Sequence, residues 1–366
     1  MSRKKVLGFS LALVILLVVI IATLNFINNK YISTFNADGK GELEEKLNQV
    51  VKKYVENNKF SGTVLVAKDD SIIFNEGYGY AKRYFGRTQN TPETKYLIGS
   101  ISKVFTASAI VKLEEDNLLR FDDKVTKYFP EYKGWEDITI HHLLNHTSGI
   151  ENYYGSPVSY ARYFLGNKTP VQIISRFKNK PLLFEPGTDY SYSNTNYIML
   201  GSIIEKVTDM TYVEYLNKNI LKPINLKNTG YQRKTKSIVN IAKGYTLNMI
   251  LEINGLNLSN LYSAGGLYSS SIDLYNFCKS LQKDKLLNDN TKTNVRDDLY
   301  YGYGLMSQEN TNDPGKIYFH TGGGPGICAA MYNLDDKDII IIIIANNQSV
   351  SEVRKDMMID LYKSIQ

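Results

Sequence analysis

Four serines in the chain stand three residues ahead of a lysine: Ser2, Ser100, Ser175 and Ser280. On a helix that spacing stacks hydroxyl and amine on one face. A lysine whose pKa burial has lowered can then take the serine proton and leave a nucleophilic oxygen. Context separates the four. Ser2 precedes a long apolar segment, and Ser175-Arg-Phe-Lys178 and Ser280-Leu-Gln-Lys283 read as solvated faces of helices. Ser100-Ile-Ser-Lys103 follows Gly99 and opens the apolar run from Val104 to Val111. A buried helix there would aim its first turn, and the amides of that turn, at a cleft where an oxyanion can be stabilised. Taken alone, a capping Ser100 and a surface Lys103 remain the plainer reading.

Two further motifs change that balance. Tyr192-Ser193-Asn194 lies in a loop after Pro186-Gly187; a phenol there can carry a proton to a leaving group, and an asparagine amide can hold a substrate amide. A second Y-x-N, Tyr215-Leu216-Asn217, sits inside a helical stretch and reads as structural. His320-Thr321-Gly322 follows the predicted strand Lys316–Phe319, and Gly323 beyond it can offer an N–H to an oxyanion. A phosphate-binding loop is the competing reading of these glycines, but the lysine and the strand-loop-helix setting of a P-loop are missing. His141, His142 and His146 match no zinc spacing and read as packing and turn residues, so neither a metal nor a cofactor is expected.

The order S-x-x-K, Y-x-N, H-T-G resembles the serine β-lactamase and penicillin-binding protein family, in the branch holding class C β-lactamases, D,D-carboxypeptidases and related esterases. His142–Gly149, Phe184–Asn194, Gly201–Glu205 and Ser263–Leu267 are similar to segments of that family too, so the likeness runs from about Phe60 to Asn347. The resemblance implies a β-lactamase/transpeptidase-like α+β fold. It implies that Ser100 forms an acyl-enzyme and that Lys103 and Tyr192 act as one coupled base and acid. It further implies an oxyanion hole from the Ser100 and Gly323 amides, with Asn194, His320, Thr321 and Gly322 binding substrate. Most β-lactamases carry lysine where this chain has His320. A histidine with an ordinary pKa near 6.5 is mostly neutral at pH 7 and binds a substrate carboxylate less well.

The elements that must position these residues show in the hydrophobic pattern. Leu43, Leu47, Val50, Val51, Tyr54 and Val55 recur at helical spacing. Thr63–Ala67 and Ile72–Phe74 flank Asp69-Asp70 as a hairpin. Ile327–Asn333 and the isoleucine run Ile339–Ile344 flank Asp335–Lys337, and a last helix carries Val353, Met357 and Leu361. Strands at both ends with helices between them predict one antiparallel sheet built from both chain ends, flanked by helices, plus a mainly helical subdomain from the middle.

Residues 6–24 run without a charge behind Arg3, Lys4 and Lys5. That length spans a bilayer and the preceding charges favour a cytoplasmic N-terminus. Residues 1–27 are therefore expected to be a cytoplasmic stub and single-pass anchor, 28–41 a linker and 42–366 an extracellular hydrolase domain. A cleaved signal peptide, giving a secreted protein, is the alternative. The net charge of +6, from 43 basic and 37 acidic residues, is too slight to argue for nucleic acid. Cys278 and Cys328 are too few for a disulfide framework, and one bond between them stays open. Three functions follow: a hydrolase of cell-wall peptide, D-alanylated teichoic acid or a small ester or amide; a β-lactamase; and a non-catalytic binder of wall fragments.

Overall fold

Ile339–Ile344 form all but the last residue of a strand, Ile339–Ala345, in which every residue is buried. β-branched side chains suit a pleated surface covered on both faces, and burying each one stabilises by about 1.5–3 kcal/mol. A computed structural model describes residues 32–57, 59–84, 86–153, 168–231, 238–246, 251–253, 260–282, 301–309 and 315–366, with Leu16 standing alone. The apolar segment 6–24 and the residues expected to form a cytoplasmic stub lie outside this set apart from Leu16. Among the described residues no helix is long and apolar enough to cross a membrane.

The N-terminal helix α1 (Glu42–Glu56) leads into the hairpin β1 (Gly62–Lys68) and β2 (Ser71–Tyr78), whose turn holds Asp69 and Asp70 at positive φ. The middle of the chain supplies helices α2 (Ser102–Glu115), α3 (Asn194–Thr208) and α4 (Ser271–Gln282) with several shorter ones. Strands β3 (Tyr301–Gly302), β4 (Leu305–Glu309), β5 (Lys316–Gly324), β6 (Ile327–Leu334) and β7 (Ile339–Ala345) follow, and α5 (Val350–Ser364) closes the chain. The sheet runs β3-β4-β5-β6-β7-β1-β2, so the last strand lies against the first, from Gly62 opposite Ala345 to Lys68 opposite Ile339. This is the sheet from both chain ends that the pattern predicts.

Alternation along β7 builds two cores. Ile340, Ile342 and Ile344 pack with α2, α3 and α4, whereas Ile339, Ile341 and Ile343 pack with α1 and α5. Cys278 belongs to the first core and Cys328 to the second, and both are free thiols. The open question of a bond between them is thereby answered. Within the segment read as a linker, Ser33 pairs with Tyr78 and Thr34 bonds to Gly77, which covers the last residues of the edge strand β2.

Three local expectations change. The H-T-G motif lies inside β5 rather than after a strand: Thr321, Gly322 and Gly323 pair with Ala330, Ala329 and Cys328. Glycines are poor strand formers, but the tight hairpin into β6 and its continuous ladder override that preference. Asn194 opens α3 instead of lying in a loop. Ser280 is not solvated; it is buried on α4, and its hydroxyl donates to the Phe277 carbonyl, which removes the cost of burying it.

Candidate active site

Lys103 is fully buried although it is charged in water. It sits in the first turn of α2, a helix buried on nearly every face because its sequence is apolar or small all round. Ser100 precedes it in a single 3-10 turn, Gly99–Ile101, and is partly exposed between the buried Gly99 and Ile101. The two functional atoms, Lys103 Nζ and Ser100 Oγ, are 3.0 Å apart. Two carbonyls complete the amine's surroundings: Asn194 Oδ1 at 2.8 Å and Ala264 O at 2.5 Å. A neutral amine has two N–H bonds and one lone pair. With both N–H bonds donated to those carbonyls, the lone pair is left for the serine O–H. Burial holds the Lys103 pKa well below its usual value, which favours that neutral form.

Tyr192 closes the group. Its phenol hydrogen-bonds Ser100, and its ring lies 5.0 Å from Lys103 Nζ. Burial raises its pKa above the normal phenol value, against the opposing pull of the Ser100 bond. The hydroxyl therefore keeps its proton at neutral pH and can give it away. Asn194 is fixed from both ends: its carbonyl meets Lys103, and its side-chain and backbone N–H groups both donate to Asn152 Oδ1 at 3.2 Å.

The backbone of β5 approaches the serine turn closely. Gly99 has φ +52, and Gly322 passes so near Ile98 that a Cβ there would stand 1.9 Å from the Ile98 carbonyl oxygen. A Cβ on Gly99 would stand 3.0 Å from Gly323 N and one on Gly322 would stand 3.2 Å from Ser100 N, so the two backbone nitrogens lie on facing segments. An oxyanion hole needs two such donors converging on one point. Gly322→Ala should therefore destabilise the fold by about 1–3 kcal/mol through overpacking and slow turnover about tenfold by pushing β5 from Ser100. Gly323→Ala, whose Cβ would meet nothing within 4 Å, should leave stability unchanged. Equal unfolding midpoints for the two variants would contradict this.

His320 faces inward. It is 1% exposed, with Nδ1 2.8 Å from the Thr321 carbonyl and Nε2 3.0 Å from the Tyr301 hydroxyl. Nδ1 must carry the proton to serve a carbonyl, so Nε2 accepts from Tyr301. Burial and the neighbouring Lys103 lower its pKa to about 3. His320 is thus a neutral ring that braces the β5 edge from behind. Thr321, Gly322 and Gly323 lie on β5 beyond Phe319, where its pairing with β4 ends.

The structure thus brings Ser100, Lys103, Tyr192 and Asn194 together around one point and sets Gly323 beside them. Asn152, Ala264, His146 and Tyr301 also belong to the site and were not singled out from the sequence as site residues. Ala264 lies in a segment that resembles the family, Ser263–Leu267, which was its one signal. Ser175 stays outside: its hydroxyl bonds to the nearby Gln172 carbonyl. Tyr215-Leu216-Asn217 is helical and packed, as expected.

A buried amine aimed at a serine is the arrangement of a serine hydrolase. The chain belongs to the Beta-lactamase family, whose model matches residues 47–362. It is 30% identical to a penicillin-binding protein of Bacillus subtilis over 83% of this chain and 72% of that one. It is 29% identical to a teichoic acid D-alanine hydrolase of Staphylococcus aureus, over 71% of this chain and 66% of the relative. The crystal structure of a penicillin binding protein from Bacillus halodurans superposes with a TM-score of 0.71 at 27% identity, covering 85% of this chain and 98% of that one.

Proposed function

We propose that this protein is a membrane-anchored, extracytoplasmic hydrolase of the penicillin-binding type that cleaves D-alanyl bonds of the cell envelope, esters ahead of peptides. The Ser100 proton passes to Lys103 Nζ as Oγ attacks the D-alanyl carbonyl carbon. The N–H groups of Ser100 and Gly323 receive the oxyanion. Tyr192 gives its proton to the departing oxygen, and the proton that Lys103 took from Ser100 restores it. A water molecule, deprotonated by the same pair, then attacks the acyl-enzyme; D-alanine leaves and Ser100 regains its proton.

The observation that carries the reading is the fixed orientation of Lys103, whose two N–H bonds are taken by Asn194 and Ala264. The preference for esters rests on His320, which is neutral and turned inward where most β-lactamases carry a cation. A substrate ending in a free carboxylate would desolvate that charge without gaining a partner there. An ester-linked D-alanine has no such carboxylate. The likeness to a teichoic acid D-alanine hydrolase supports the same choice, and residues 6–24 would hold the domain beside that polymer.

The test is D-alanine release by the full-length protein from D-alanylated lipoteichoic acid and from muropeptides ending in D-alanyl-D-alanine. Release from the ester should be Ser100-dependent and at least about tenfold faster than from the peptide. Faster release from the peptide would make the enzyme a carboxypeptidase, and rapid nitrocefin turnover would make it a β-lactamase. Release that survives Ser100→Ala would end the acyl-enzyme reading.

A further inference from the structure

His146 was expected to be a packing residue, yet its conformation and contacts are costly for packing alone. The residue is fully buried and holds φ +64, a left-handed conformation that non-glycine side chains rarely adopt. Its ring Nδ1 accepts the Ser193 N–H at 3.2 Å, which places the ring proton on Nε2. That Nε2 has no hydrogen-bond partner among the described residues and no solvent contact. An aliphatic side chain would fill the same space without stranding a donor.

The contacts show what histidine does there. The His146 carbonyl accepts from Ser191 N–H at 3.0 Å, and its ring accepts from Ser193 N–H. Tyr192 is thus straddled by two hydrogen bonds to one residue. The His146 ring also packs against the Tyr192 ring, centroids 4.4 Å apart, and against Tyr301 at 4.5 Å. Tyr301 in turn bonds His320, which holds the Thr321 carbonyl of β5. Residue 194, next along the chain, is the asparagine that orients Lys103.

We propose that His146 is a positioning residue for the reaction: it sets the Tyr192 phenol and, through Ser193, the Asn194 amide against Ser100 and Lys103. The proposal rests on the reading of Tyr192 as the proton donor to the leaving group. Its acceptor and its ring do separate jobs, and two substitutions divide them. His146→Asn keeps a left-handed backbone and places Oδ1 where Nδ1 was, but removes the ring. His146→Phe keeps a ring and removes the acceptor.

The experiment measures turnover per active serine in the full-length protein, with active serines counted by exhaustive labelling with a fluorophosphonate. Each variant should label to the wild-type extent yet turn over a D-alanyl glycerol ester about tenfold more slowly, with KM within about twofold. The loss should shrink on a p-nitrophenyl ester, whose leaving group needs no acid. A purely structural residue would lower the labelled fraction and leave turnover per labelled serine unchanged for both esters; that result overturns the proposal. Should His146→Phe fold poorly, His146→Asn alone decides, because it satisfies the backbone and the Ser193 bond. Failure of Ser100 to label in the wild type would instead overturn the underlying reading of the site.

Discussion

Lys103→Met is expected to lower kcat/KM for a D-alanyl ester by about 10³- to 10⁴-fold, close to the loss from removing Ser100 itself. General-base catalysis by a positioned group contributes about 10²–10⁴, and residues acting as one unit fail together when any one is removed. Methionine matches the length of the lysine stem and suits a fully buried site. Asn194 Oδ1 and Ala264 O lose their donor, which costs stability, but the desolvated amine is gone too. Activity should collapse while the unfolding midpoint moves little. The wild-type pH profile gives the second half of the test. Neutral Lys103 is the active form and its pKa lies well below 10.5, so activity should fall as pH drops through that depressed pKa and rise above it. His320 is neutral above about 3 and adds nothing to the profile between pH 5 and 8. Loss of less than tenfold, or an acid limb that persists in Lys103→Met, would show that another group takes the serine proton.

The parts of this site that were legible from sequence are those whose information is local. Ile339–Ile344 could only be a doubly covered strand, because a β-branched run of that length leaves no polar face. Ser100 and Lys103 lie one turn apart on the chain, and an apolar helix follows them at once. Ser280 has the same spacing and reads as solvated, because neither its burial nor its bond to Phe277 is written in the four residues of its motif. Asn152, Ala264 and Tyr301 reach the site only through tertiary folding. Ala264 acts through a backbone carbonyl, which every residue has, so its side chain carries no trace of the role. His146 was visible as a histidine but not as a neighbour of Tyr192, 46 positions away in the numbering. The strand through Gly322 and Gly323 was hidden for the opposite reason: local propensity argued against a strand that the ladder with β6 enforces. Sequence pattern thus reaches the pairing of Ser100 with Lys103, and tertiary contacts supply what holds the two in line.

Tyr192→Phe should separate the two halves of the reaction by leaving group. The substitution removes one hydroxyl and keeps the ring, so the packing against His146 and the contact with Lys103 persist. Ser100 loses its hydrogen bond to the phenol but keeps Lys103 Nζ at 3.0 Å. Proton abstraction from the serine therefore survives, and the missing step is protonation of the departing oxygen. A glycerol or ribitol alkoxide is a strong base and leaves poorly without a proton, so turnover of a D-alanyl ester of such an alcohol should fall about 10²- to 10³-fold. A p-nitrophenolate leaves readily unprotonated, and its ester should lose less than about tenfold. Burial raises the Tyr192 pKa above that of a free phenol, so in the wild type this acid stays loaded throughout the neutral range. The alkaline limb of the glycerol-ester profile should belong to it and should vanish in the phenylalanine variant. Equal losses on both esters would mean that Tyr192 acts with Lys103 in activating Ser100, and the division of base and acid between them would have to be reversed.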